Sequence, residues 1–277
     1  MILALCAAAW AGTVTDATGA TVTVARTDTL VVLSGGLTEA AYALGAGDRL
    51  VGTDVTSTFP AAARALPQLG YYRSLTAEGV LSLGADVVVA PDDAGPPAVL
   101  AQLRASGARV VILPGAPGVD AAAERITLLG RLLDAEPRAA ALVAALRADL
   151  AAVRPADAPR VLFVYARSAG AMQVAGRDTA AGAMIALAGG ENAVDAWSGY
   201  RPLTAEAVVA AAPDVILLTD HGLASVGGVD AVLAQPGVAL TPAGRERRVV
   251  ALDDLLLLGF GPRTGQGVAE LAARLTP

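Results

Sequence analysis

Residues 72–92 and 200–220 of this chain are two versions of one segment. The first reads YRSLTAEGVLSLGADVVVAPD and the second YRPLTAEAVVAAAPDVILLTD, offset by 128 residues without a gap, with 10 of 21 positions identical. Each runs from Tyr-Arg through a Thr-Ala-Glu helix start and an apolar helical turn to an Asp and a β-rich run. An offset of 128 residues lies far above the roughly 20–50 residues of stacked repeat arrays. It implies instead two lobes on a similar βα plan, each presenting an acidic helix start, Glu78 on one and Glu206 on the other. Such a chain grips something between its lobes, or is itself gripped at both.

At 277 residues the chain is long enough for two domains with cores of their own. Its residue inventory excludes several classes of function. Net charge is -6, and all 20 basic residues are Arg without a basic run, so there is no nucleic-acid footprint. One Cys and one His exclude a Cys/His zinc site and a cysteine-ligated cluster. The sole imidazole, His221, reads as a turn residue, and no GxSxG elbow accompanies it. The early glycines, Gly35-Gly36, Gly45 and Gly47, form neither GxGxxG nor a P-loop. No apolar run is long enough to span a bilayer. The inventory is that of a binding protein rather than an enzyme.

Residues 1–11, MILALCAAAWA, read as a truncated export signal ending in the A-x-A site Ala9-Trp10-Ala11. Cys6 as a lipoprotein anchor is opposed by the bulk of Leu5 before it. Export places the chain in the periplasm or an equivalent extracytoplasmic space, and a single Cys leaves it without an internal disulfide.

The remainder alternates short apolar strands with helices, which predicts parallel sheets covered on both faces. Residues 13–25 form a hairpin turning at Asp16 to Gly19. Leu30–Leu33, Leu50–Thr53, Val87–Ala90 and Val110–Leu113 are strands, with helices from about Thr38, from Thr76 and over Val99–Ser106. From Val119 to Val153 the pattern is helical, broken only at Pro137. Strands follow at Val161–Tyr165, Val215–Thr219 and Val249–Leu252, with helices over Thr179–Leu187, Thr204–Ala212 and Gly265–Leu275. The expected organisation is α/β: a signal remnant over 1–11, an N-terminal Rossmann-like lobe over 12–134, a single joining helix over 135–156 and a C-terminal lobe over 157–277.

Several motifs resemble those of the class III substrate-binding proteins of bacterial ABC importers, and among these the haem-binding branch. They are Leu69-Gly70-Tyr71-Tyr72-Arg73-Ser74-Leu75-Thr76-Ala77-Glu78-Gly79, Leu44-Gly45-Ala46-Gly47-Asp48-Arg49, Val174-Ala175-Gly176, Leu240-Thr241-Pro242-Ala243-Gly244-Arg245 and Leu258-Gly259-Phe260-Gly261-Pro262-Arg263. The GYxR and GFGPR pieces together point to haem, and the similarity runs from about residue 13 to 277. The resemblance implies two α/β lobes bridged by a rigid helix, with haem as the transported ligand in the cleft between them. It implies a permease dimer with its ATPase as partner, docked through Glu78 and Glu206, and contact with the membrane only through that permease or a lipid anchor. Iron acquisition is the implied role; a ferric siderophore or cobalamin in the same fold is the alternative.

The resemblance also implies site residues. Ferric haem needs an axial ligand, and a Tyr phenolate is one accepted type. The family's ligand position is Tyr71, with Tyr72 beside it where the family has an apolar residue. Arg73 steadies the phenolate or a haem propionate. Arg167, in the region where some members carry a ligand His, is either a propionate partner or a surface charge. Arg263 in GFGPR faces the cleft or caps a loop-to-helix junction. Arg177 and Arg201 are weaker candidates.

Overall fold

A computed structural model describes residues 11–25, 28–154, 158–166 and 172–276. Residues 1–10 of the expected 1–11 export signal, with Cys6, and the candidate Arg167 lie outside them. Two compact units result, one holding the chain to Ala116 with Asp120–Ala144, the other Pro117–Val119 with Ala145 onward.

The first unit opens with a hairpin, β1 (Ala11–Thr15) against β2 (Thr21–Ala25), in antiparallel register from Ala11↔Ala25 to Thr15↔Thr21. Asp16 shapes its turn by accepting the amides of Thr18 at 2.8 Å and Ala20 at 3.0 Å. Then come β3 (Leu30–Val32), α1 (Gly35–Ala43), β4 (Leu50–Gly52), α2 (Ala77–Leu81), β5 (Val87–Pro91), α3 (Pro97–Ala105) and β6 (Arg109–Leu113). These strands form one parallel sheet in the order β4-β3-β5-β6. Val31, Val88, Ala90 and Ile112 pack with Leu75, Val80, Leu100 and Leu103 as a core cluster. The helices α4 (Val119–Leu132) and α5 (Glu136–Ala152) follow, separated at Asp134, whose φ of 56° ends the first, with Pro137 at the start of the second.

Helix α1 begins three residues earlier than its sequence suggests. Gly35-Gly36 reads as a lead-in because glycine is a poor helix former. In the structure Ser34, at φ 83°, turns the chain sharply out of β3. The Ser34 and Gly35 amides then bond to Asp54 Oδ1 and Thr56 Oγ1, each at 2.9 Å. These long-range partners satisfy amides at the helix start that would otherwise lack acceptors.

The second unit contains β7 (Arg160–Ala166), β8 (Met172–Ala175), α6 (Ala180–Leu187), β9 (Glu191–Asn192), β10 (Tyr200–Pro202), α7 (Ala205–Ala211) and β11 (Val215–Thr219). It continues through α8 (Asp220–Ser225), α9 (Val229–Leu233), α10 (Pro242–Arg245), β12 (Val249–Leu252), α11 (Asp254–Leu258) and α12 (Thr264–Leu275). Strands β7, β11, β12 and β9 are mutually parallel, as the sequence predicts, but β8 runs antiparallel to β7 and β10 antiparallel to β8. The expected parallel core is present, and the antiparallel β8 and β10 extend the sheet beyond β7. The extra strands are short, and all three residues of β10 are exposed, so no apolar run marks them. His221, expected at a turn, lies in the first turn of α8, where its amide donates to Asp254 Oδ2 at 3.1 Å.

The repeat is a structural unit. Thr76 and Thr204 are N-caps, accepting from the amides of Gly79 and Ala207 at 3.2 Å in both cases. Val80 and Val208 are buried on the inner face. Both segments then pass a left-handed residue, Gly84 at φ 60° and Ala212 at φ 39°. The following carboxylates act alike: Asp86 Oδ2 accepts the Thr29 amide at 2.8 Å and Asp214 Oδ2 the Arg160 amide at 2.9 Å. Each thereby ties its central strand, β5 or β11, to the start of a neighbour.

Candidate functional site

Tyr71, Tyr72 and Arg73 lie on the loop between Gly70 and the Thr76 cap. Backbone bonds hold that loop on two sides. Val55 donates to Gly70 O at 2.9 Å and Leu69 to Thr53 O at 2.8 Å. On the other side Leu75 donates to Gly95 O at 2.8 Å and Gly95 to Tyr72 O at 3.0 Å. The second contact brings the loop against the turn after β5, which carries Asp92 and Asp93. Ligand sites of open α/β sheets form at such carboxyl ends of strands.

Side chains converge there. Arg73 donates Nε to Asp93 Oδ2 at 2.8 Å and pairs with the same oxygen through Nη2. Its Nη1 donates to the Tyr71 hydroxyl. The guanidinium carbon lies 4.8 Å from the Tyr72 ring centre and 5.5 Å from that of Tyr71, and the two rings are 5.0 Å apart and tilted by 60°. One cation thus joins a carboxylate, a phenol oxygen and two aromatic faces. Burial first, and then the Asp93 carboxylate, push the Tyr72 phenol well above the usual tyrosine range; Arg73 opposes this without reversing it. Asp54, fully buried, organises the floor nearby by accepting the Ser34 and Thr56 amides and the Ser57 hydroxyl. Arg125, also buried, reaches from α4 to the carbonyls of Pro114 and Ala116 at 2.9 Å each and fixes the exit from β6. Its burial lowers the guanidinium pKa, with Asp92 and Asp93 pulling the other way.

The first unit therefore brings together Tyr71, Tyr72 and Arg73. Asp93 is the residue that sequence reasoning missed. It lies 20 positions beyond Arg73 in a run that reads only as a loop, and no local pattern links the two. Glu78 and Glu206 are exposed in the first turns of α2 and α7. Arg263 belongs to the second unit at the N-terminal boundary of α12, where its carbonyl accepts the Gly267 amide at 3.0 Å. Arg201 stacks on Trp197, 5.0 Å from its ring. Among the described residues no group of three or more His, Cys, Asp or Glu is assembled to hold a metal ion, and no helix is long and apolar enough to cross a membrane.

This architecture is that of the periplasmic binding proteins, and the chain belongs to that family, whose model matches residues 30–256. Among solved structures it is similar to the apo form of the periplasmic haem-binding protein RhuT from Roseiflexus sp. RS-1. The TM-score is 0.86 at 45% identity, covering 90% of this chain and 98% of that one. It is likewise similar to the periplasmic haem-binding protein BhuT in complex with two haems, with a TM-score of 0.83 at 46% identity over 90% and 97% of the two chains. Among curated proteins, an uncharacterised ABC transporter substrate-binding lipoprotein of Bacillus subtilis, YvrC, is 28% identical over 274 residues, 96% of this chain and 85% of that protein. The family and these relatives are binding proteins.

Proposed function

We propose that this chain is an extracytoplasmic haem-binding protein that delivers ferric haem to an ABC permease dimer and its ATPase, with Tyr71 as axial ligand. The single observation that carries the reading is the Arg73 Nη1 bond to the Tyr71 hydroxyl, made by a guanidinium whose other edge is fixed by Asp93. A ferric ion binds phenolate, and a charge-assisted donor on the phenol oxygen stabilises that negative charge. Tyr72, partly buried against the core and beside the Asp93 carboxylate, stays neutral and serves as an aromatic wall. Arg73, engaged on both edges, steadies the phenolate rather than a propionate. No catalytic role is assigned; the assembly binds and releases a cofactor as cargo, and export to the periplasm or its equivalent fits that task.

Titration of the purified protein with ferric haem, followed in the visible spectrum, tests this. The expected result is saturable binding with a tyrosinate-to-iron charge-transfer band. No binding of haem, or preferential binding of cobalamin in a parallel titration, overturns it.

A further inference from the structure

The two repeat helices share more than their glutamates. Leu81 is 39% exposed and Val209 43% exposed, and each lies three residues after its glutamate, on the same helix face. A single exposed apolar side chain needs no explanation. Here a large apolar side chain is exposed at the same repeat position in both units, beside the same carboxylate, while the residue before it, Val80 or Val208, is buried.

The surroundings extend each patch. In the first unit Leu81 rims a concavity of about 280 Å³, shared with Val80, Gly84, Asp86, Ser106 and Arg109. It opens at the amino ends of β5 and β6. Tyr71, Arg73 and Asp93 cluster at the carboxyl end of β5, a five-residue strand away, or ~16 Å at about 3.3 Å per residue. The concavity is therefore separate from the ligand site. In the second unit Leu240, 69% exposed, ends a 3-10 turn over Val238–Leu240. That turn packs against α7, with Gly237 set close on the Ala205 backbone.

We propose that each unit carries a composite docking patch, a glutamate with an apolar side chain one helical turn further on (Glu78 with Leu81, Glu206 with Val209). Each patch seats a protein surface that presents a basic side chain beside an apolar one. The repeat makes the two patches alike, so the partner offers this surface twice, as two like subunits do. Charge complementarity sets the basic half of the match. The exposed carboxylate governs association rate and register, whereas the apolar half holds the bound state once water is expelled. The proposal rests on the importer reading above and adds the apolar half to it.

The experiment uses the haem-loaded protein and its permease–ATPase complex in lipid nanodiscs, at low and high salt. Exposed ion pairs are screened by salt and apolar contact is not. Wild type is expected to keep measurable docking at high salt. The double variant Leu81→Ser with Val209→Ser is expected to dock about tenfold more weakly at low salt and to lose docking at high salt, with haem titration and melting point unchanged. Glu78→Ala with Glu206→Ala is expected instead to lose most of the salt dependence. Should the serine pair lower the melting point, the milder Leu81→Thr with Val209→Thr takes its place. Wild-type docking by the apolar double variant at both salts overturns the composite patch and leaves the importer reading standing. Failure of the wild type itself to dock overturns both.

Discussion

The same dipeptide has two fates in this molecule. Tyr72-Arg73 and Tyr200-Arg201 occupy equivalent places in the repeat, yet the first lies in a loop and the second in strand β10. Arg73 bridges Asp93 and the Tyr71 hydroxyl; Arg201 stacks on Trp197. Tyr72 packs against Tyr71, and Tyr200 lies 5.9 Å from Tyr165. The residue before each dipeptide separates them: Tyr71 in the first copy, Gly199 in the second, where the glycine amide and carbonyl bond Arg177 O and the Gly176 amide at 2.8 Å each. Asp93 also lies outside the repeat. The duplicated segment therefore builds the scaffold and supplies Arg73, whereas the two groups that Arg73 joins, Tyr71 and Asp93, were not duplicated.

The largest expected effect tests that division directly. Tyr71→Ala removes the proposed iron ligand and is expected to weaken ferric haem binding by more than ~100-fold, beyond the roughly 10–100-fold typical of outer-shell changes. It should also abolish the charge-transfer band. Tyr200→Ala, its nearest counterpart in the other copy, should leave both unchanged. Equal losses in haem titrations of the two variants would erase the proposed difference between the units.

Next comes the support behind the ligand. Asp93→Asn removes the charge that holds Arg73, and a loss of about tenfold in haem affinity is expected, on the scale of outer-shell partners. The charge-transfer band should shift rather than vanish, and Asp93→Glu should restore much of the affinity. A spectrum identical to wild type would remove Asp93 from the site. Tyr72→Phe should keep the band, since that phenol stays protonated.

A smaller effect probes where the copies agree. Asp86→Ala and Asp214→Ala each strip a carboxylate from a solvent-exposed strand-start amide, and each should cost about 1–1.5 kcal/mol in denaturant melts. Hydrogen bonds from the Thr29 amide and hydroxyl hold the Asp86 carboxyl below its usual range. Its contribution is therefore present above the unfolded carboxylate pKa and is lost as pH falls through the lower folded value. The difference between wild type and Asp86→Ala should shrink in acid. The smallest expected change, about 1 kcal/mol each, belongs to the caps Thr76→Ala and Thr204→Ala; clearly unequal losses would show that the two helices are held differently.

How much of this the sequence revealed follows from the range over which each signal acts. The repeat, the strands and the two middle helices are written in local periodicity, and Thr76 and Thr204 in local capping chemistry. Tyr71 and Arg73 stand in one motif. Asp93 does not, because its role arises only when the turn after β5 meets the tyrosine loop. The start of α1 was obscured for a related reason: Asp54 and Thr56, about 20 residues downstream of Ser34, supply what Gly35-Gly36 cannot. Strand β10 was hidden because exposed residues carry no alternation to read.

The tyrosine loop has one further consequence, in the timescale of opening. Its backbone is tied to the Thr53–Val55 segment before Tyr71 and to Gly95 after it. The amides of Val55, Leu75 and Gly95 should consequently exchange with deuterated solvent only when these ties open together, not through independent fraying of a surface loop. A ligand arriving there meets a frame already set, so little chain entropy remains to be lost on capture. On the proposed function, the same stiffness predicts that release requires something outside the loop to pull its neighbours apart.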